Sequence, residues 1–161
     1  MRALLLFVLL TANGMAAELN LDSAVIDANK PTQLSLRLES GGSELTGIQF
    51  DIEYDASRVD VKMEIGPAAE GAVKVLQSNT LQPGKQRVLI FGFNQTRLAD
   101  GVVALARVTL KGSAEPDQTW PVRISQTTGT SAAGEAIPLK GSPGGVRRAG
   151  GTQSPARSKA Q

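Results

Sequence analysis

Residues 47–55 read Gly-Ile-Gln-Phe-Asp-Ile-Glu-Tyr-Asp, and no other segment constrains the fold of this chain so tightly. Successive side chains of an extended strand point to opposite faces. Ile48, Phe50, Ile52 and Tyr54 therefore share one face, and Gln49, Asp51, Glu53 and Asp55 share the other. The pattern predicts a strand with an apolar face in a core and an acidic and amide row in water.

The same period of two recurs along the chain. Leu34, Leu36 and Leu38 alternate with Ser35 and Arg37, and Val59, Val61, Met63 and Ile65 share a face. Ala104, Ala106, Val108 and Leu110 do likewise, as do Trp120, Val122 and Ile124. Further strands are predicted over 19–26, 73–77 and 87–93, with a last one opening at Ala136. Turn residues separate them: Asp27 to Pro31, Ser40 to Ser43, Gly66-Pro67, Pro83-Gly84 and Asp100-Gly101. No i, i+3, i+4, i+7 pattern persists for three turns, so no long helix is expected in the mature chain. Short strands at this spacing predict an all-β sandwich of one domain.

The two ends differ from the body. Met1 to Ala17 carries one Arg, a short apolar run and closing small residues, the form of a signal peptide cut near Ala16 or Ala17. The run is shorter than the roughly 20 residues a membrane span needs. The expected result is an exported protein, extracellular or periplasmic, with no membrane span. Residues 149–161 hold no large apolar side chain, and a disordered basic tail is expected there. The folded domain is therefore placed at 18–148. Between residues 18 and 139 acids outnumber bases, whereas Lys140, Arg147, Arg148, Arg157 and Lys159 follow with no acid. The basic balance belongs to the C-terminal segment and does not indicate a nucleic-acid partner.

Several segments, in order, resemble the cohesin family. Residues 47–55 with Val59-Asp60-Val61 look like its Tyr-Asp-Pro strand, turn and following strand, with Ala56 in the proline position. Val88-Leu89-Ile90-Phe91-Gly92-Phe93 is similar to its apolar central strand. Residues 100–108 resemble its Asp-Gly-Val-x-Ala motif, and Gly144-Gly145-Val146 its closing strand. The resemblance implies a jelly-roll sandwich of about nine strands, related to bacterial carbohydrate-binding modules. It also implies a flat face, including the strand at 47–55, that holds a dockerin domain. Where many cohesins present Asn and Asp to the dockerin, this chain has Gly47 and Gln49.

The chemistry available is narrow. Without His or Cys the chain has no Ser-His-Asp or Cys-His pair and no common zinc set, so catalytic and metal residues are not expected. Nothing points to a cofactor. A two-carboxylate glycosidase is the remaining enzymatic reading, on Asp51 and Glu53, and it ranks last because a single strand alternation explains both. Direct polysaccharide binding needs exposed aromatics, yet Phe50, Tyr54, Phe91, Phe93 and Trp120 all read as core. A dockerin-like protein partner leads, with polysaccharide as the alternative. Its expected contacts are Gly47, Gln49, Asp51, Glu53, Asn94 and Thr96, on a monomer. Asp51→Lys is expected to abolish capture without altering melting.

Overall fold

The computed structural model describes residues 15–150. Its strands are β1 (Ala17–Leu21), β2 (Ser23–Ile26), β3 (Thr32–Glu39), β4 (Gly47–Glu53), β5 (Val59–Ile65) and β6 (Val75–Gln82). They continue with β7 (Lys85–Phe91), β8 (Gly101–Leu110), β9 (Thr119–Thr130), β10 (Ala136–Ser142) and β11 (Gly144–Arg148). One helix, α1 (Pro67–Gly71), begins at the predicted Gly66-Pro67 break. Most of the sequence read as signal peptide and as basic tail lies outside the described residues.

Strand pairing runs β5-β8-β3-β1-β10-β9-β4-β7-β6, with β11 on β9 and β2 on β11. The parallel pair β1–β10 is the seam where one layer passes into the other. Eleven segments reduce to the nine expected strands once two interruptions are recognised. Asp22 breaks the first strand into β1 and β2, and Pro143, which has no N–H to donate, breaks the last into β10 and β11. The two breaks abut. A Cβ on Gly144 would lie 2.0 Å from the Asp22 carbonyl oxygen, so only glycine lets the kinked strands pass so closely.

Both layers contribute alternate residues to a single core. Leu34, Leu36 and Leu38 come from β3, with Val59 and Val61 from β5 and Ala104, Ala106 and Val108 from β8. Phe50 and Ile52 of β4, Val88 and Ile90 of β7, and Trp120 and Val122 of β9 come from the opposite layer. Each fully buried large side chain contributes about 1.5–3 kcal/mol. The predicted faces of β3, β4, β5, β8 and β9 hold, including the burial of Trp120.

Phe91 and Phe93, read from the sequence as core, lie at the surface instead. β7 turns Val88 and Ile90 inward and Phe91 outward; Phe93 lies beyond the end of the strand, fully exposed. The register with β4 sets this, because Val88 pairs with Phe50 and Ile90 with Ile48. The third inward residue is Gln86, and its amide is well satisfied. Its Nε2 donates to Tyr54 Oη at 2.6 Å and to the Val61 carbonyl at 2.7 Å, while Oε1 accepts from Ser78 Oγ at 2.8 Å. A fully bonded amide can be buried at little cost, which frees the strand to show an apolar edge to solvent.

Candidate binding face

The outer surface of β6-β7-β4-β9 carries the residues singled out from the sequence. Cross-strand pairing lines them up with neighbours that face the same way. Glu53 lies between Lys85 of β7 and Arg123 of β9, and Asp51 between Arg87 and Ser125. Gln49 lies between Leu89 and Thr128. On β6, Val75 pairs with Phe91, Gln77 with Leu89 and Asn79 with Arg87. The face thus divides into a charged half around Asp51 and Glu53 and an apolar half around Phe91.

Asp51 faces outward, as predicted, but not into water: it is completely buried. Arg87 caps it with two bonds, Nε to Oδ1 at 2.8 Å and a terminal nitrogen to Oδ2 at 3.0 Å. Lys85 approaches the same carboxylate at 3.7 Å and Glu53 at 3.0 Å. The flanking long side chains form a lid over the carboxylate, a geometry the alternation cannot reveal. Glu53 also accepts from Ser125 Oγ at 3.0 Å. Hydrogen bonds from Lys85 and Ser125 hold its carboxyl below the ordinary 4.5, and Glu53 in turn raises Lys85 above 10.5. Arg123 has no carboxylate partner among the described residues.

β9 adapts to this arrangement through a bulge. Its ladder with β4 skips from Thr128 opposite Gln49 to Ser125 opposite Asp51. Gln126, within the skip, takes a positive φ of 49°. The extra residue shifts Ser125 into reach of Glu53.

The apolar half is anchored by two cross-tied turns. After α1, Val73 adopts φ 55°, a left-handed conformation costly for a β-branched residue. Lys74 follows, buried, and its ammonium donates to the Asn94 backbone carbonyl at 3.2 Å and to Asn94 Oδ1 at 2.6 Å. Asn94 Nδ2 returns bonds to the Ala72 and Val73 carbonyls at 3.2 and 3.3 Å. Burial without a carboxylate partner holds the Lys74 ammonium below its ordinary pKa. The tie fixes Phe93 where it stands, beside a strand end that also exposes Val73, Val75 and Phe91.

The structure therefore gathers Gly47, Gln49, Asp51 and Glu53 on one face and sets Asn94 and Thr96 in the loop after β7. Asn94 spends its amide inside the chain, and its Oδ1 also accepts from the Thr96 backbone N–H at 3.3 Å. Gly47 and Gln49 border a shallow depression of about 230 Å³ with Leu89, Phe91 and Thr130. A second depression, of about 430 Å³, lies at the charged end among Glu53, Tyr54, Lys85 and Arg123. No cluster of three or more carboxylates suited to a metal ion occurs among the described residues. No helix among them is long and apolar enough to cross a membrane.

Val73, Val75, Leu89, Phe91 and Phe93 were not anticipated as surface. One signal was available: Leu89 and Phe91 share their face with Arg87, whereas Val88 and Ile90 share theirs with Gln86. An arginine is far harder to bury than a glutamine, so the Arg87 face is the outer one.

No protein-family model matches the sequence, and no curated protein matches it at a significant level. Solved structures do match. The sixth cohesin of scaffoldin B from Acetivibrio cellulolyticus, solved with a dockerin, superposes with a TM-score of 0.71 at 20% identity, covering 81% of this chain and 97% of that one. A type I cohesin from Clostridium thermocellum, also solved in a dockerin complex, gives 0.72 at 16% identity over 84% of this chain and 94% of its own. The non-cellulosomal cohesin of the archaeon Archaeoglobus fulgidus gives 0.68 at 12% identity, covering 83% and 91%. The chain has the cohesin fold.

Proposed function

We propose that this protein is an exported, non-catalytic interaction module that captures a dockerin-like protein domain on the outer face of β6-β7-β4-β9. The observation that carries this reading is that Phe91 stands exposed beside the Gly47–Gln49 depression with its cross-strand partner Val75, while Phe93 and Val73 are exposed in the segments just beyond the two strand ends. Exposed aromatic residues in a contiguous patch are the usual anchors of protein interfaces. The strained Val73 backbone supports it further, since strain is retained at sites under functional demand. The dockerin-bound neighbours of the same fold support the kind of partner. A place in extracellular or cell-surface polysaccharide-degrading assemblies follows from the same analogy. The glycosidase reading fares poorly: Glu53 is pushed toward the ionised form, away from a proton-donating acid, and Asp51 is sealed beneath Arg87.

The exposed phenylalanines also lend polysaccharide binding an aromatic surface that the sequence had seemed to deny it. A pull-down from secreted and envelope fractions, run beside affinity gels containing cellulose, xylan or chitin, separates the two. Capture of a protein by the unmodified chain but not by the Phe91→Ser/Phe93→Ser variant supports the interaction module. Retardation by a glycan gel, lost in the same variant, would replace it with the second reading.

A further inference from the structure

Among the described residues, three strands, β2, β5 and β6, pair on one side only. An unpaired edge offers a row of backbone donors and acceptors to any other strand, and folded proteins normally blunt such edges. β2 is blunted by its length of four residues. β5 is blunted by charge, because Asp60, Lys62 and Glu64 alternate along it. β6 has neither protection. It runs for eight residues, Val-Leu-Gln-Ser-Asn-Thr-Leu-Gln, with no charge and no proline, and every residue but Leu76 is exposed. Its ladder with β7 is regular from Val75 to Thr80, and the shift at Leu81 comes only beside the turn. The turn itself is tight, with Gly84 at φ 80° after Pro83.

We propose that β6 is a pairing edge on which a second copy of this chain docks its own β6, antiparallel, making a two-fold dimer in place of the monomer expected from the sequence. Self-pairing of a strand about a two-fold axis normal to the sheet sets a central residue opposite itself. Centred on Gln77, it places Val75 against Asn79 and Leu76 against Ser78. No charge lies in the segment, so no like charges meet in any register, whereas on β5 self-pairing centred on Lys62 would set that lysine against its own copy and Asp60 against Glu64. The paired Gln77 side chains can exchange amide hydrogen bonds. The contact uses one patch on both copies and closes on itself, the commonest form of homo-oligomer. Both outer faces then look the same way, as parts of one continuous sheet.

Sedimentation equilibrium of the full chain tests this. The mass is expected to rise with concentration from 16.8 kDa toward twice that value. Gln77→Lys with Asn79→Lys should hold it at the monomer mass at every concentration, with unchanged circular dichroism, whereas Lys62→Glu on the β5 edge should leave the dimer intact. In the unmodified protein, amide hydrogens of β6 should gain exchange protection over the same concentration range. A monomer mass throughout overturns the proposal. So does a dimer unmoved by the two lysines, or one that forms without protecting β6, since either places the interface elsewhere.

Discussion

The two halves of the outer face look alike in secondary structure and differ in what remains unsatisfied. In the charged half, Asp51, Glu53, Lys85 and Arg87 answer one another at 2.8–3.7 Å, which encloses Asp51 and leaves Glu53 paired but in reach of solvent. In the apolar half, Phe93, Phe91, Val75 and Val73 have no such internal partners and stand in solvent. Ion pairs completed within one chain offset the desolvation of their own charges, and removing one partner strands the other; exposed apolar area contributes affinity only when something covers it. Of the two carboxylates that first suggest a binding row, Asp51 is enclosed and Glu53 stays partly exposed, while the phenylalanines that first suggest core stand at the surface.

The sharpest way to break this division is Asp51→Lys. It would set a buried ammonium against Arg87 and Lys85, and it should destabilise the domain by about 3–5 kcal/mol in denaturant titration. The sequence-based expectation of unchanged melting therefore reverses, and a loss below about half a kcal/mol would show that the carboxylate is not enclosed. Phe93→Ser should do the opposite. Folding stability should move by less than about 0.5 kcal/mol, while affinity for the captured partner drops by about 2 kcal/mol or more, on the order of 30-fold. Equal affinity for both proteins would remove the apolar half from the interface.

Smaller effects refine the comparison. Val73→Gly relieves a left-handed valine whose side chain is already exposed, so unfolding free energy should increase by about 1 kcal/mol. A decrease would mean that the valine packs in a way its exposure conceals. The weakest test concerns Glu53 and pH. Its carboxyl is depressed by Lys85 and Ser125, so its contribution is present above 4.5 and fades as pH falls through the lower folded value. Lys85, raised by Glu53, contributes below 10.5 and fades as pH climbs above it. Glu53→Gln should flatten both limbs of a melting-temperature profile and leave neutral pH little changed, because the pair is open to solvent. Identical acid limbs in the two proteins would assign the acid sensitivity to other carboxylates.

Much of the fold was legible in the chain because most strands have one wet and one dry face. β5 begins and ends where its alternation of Val59, Val61, Met63 and Ile65 does. Legibility failed where a strand is apolar on both sides or where a polar residue is buried with its bonds complete. Gln86 inward and Leu89 outward erase the alternation of β7. Val73 reads as strand, yet it closes the turn after α1, so β6 starts two residues later. Asp51 reads as wet because cover by Arg87 depends on a strand far away in sequence. The candidate face was proposed through Gly47, Gln49, Asp51 and Glu53, and its apolar half was missed because a strand apolar on both sides gives no sign of which side is wet.

The seam between β1 and β10 also governs the order of assembly. Hairpins such as β6–β7 close across a two-residue turn and can form as soon as their residues are available. Ala17 must wait for Leu139, and Ser23 for Gly145, before the two layers are joined. Because it joins residues so far apart in sequence, the seam is expected to close last in folding. Substitutions along it should hasten unfolding more than they delay folding. A polypeptide emerging one end first would hold its hairpins early and lock only when its final strands arrive.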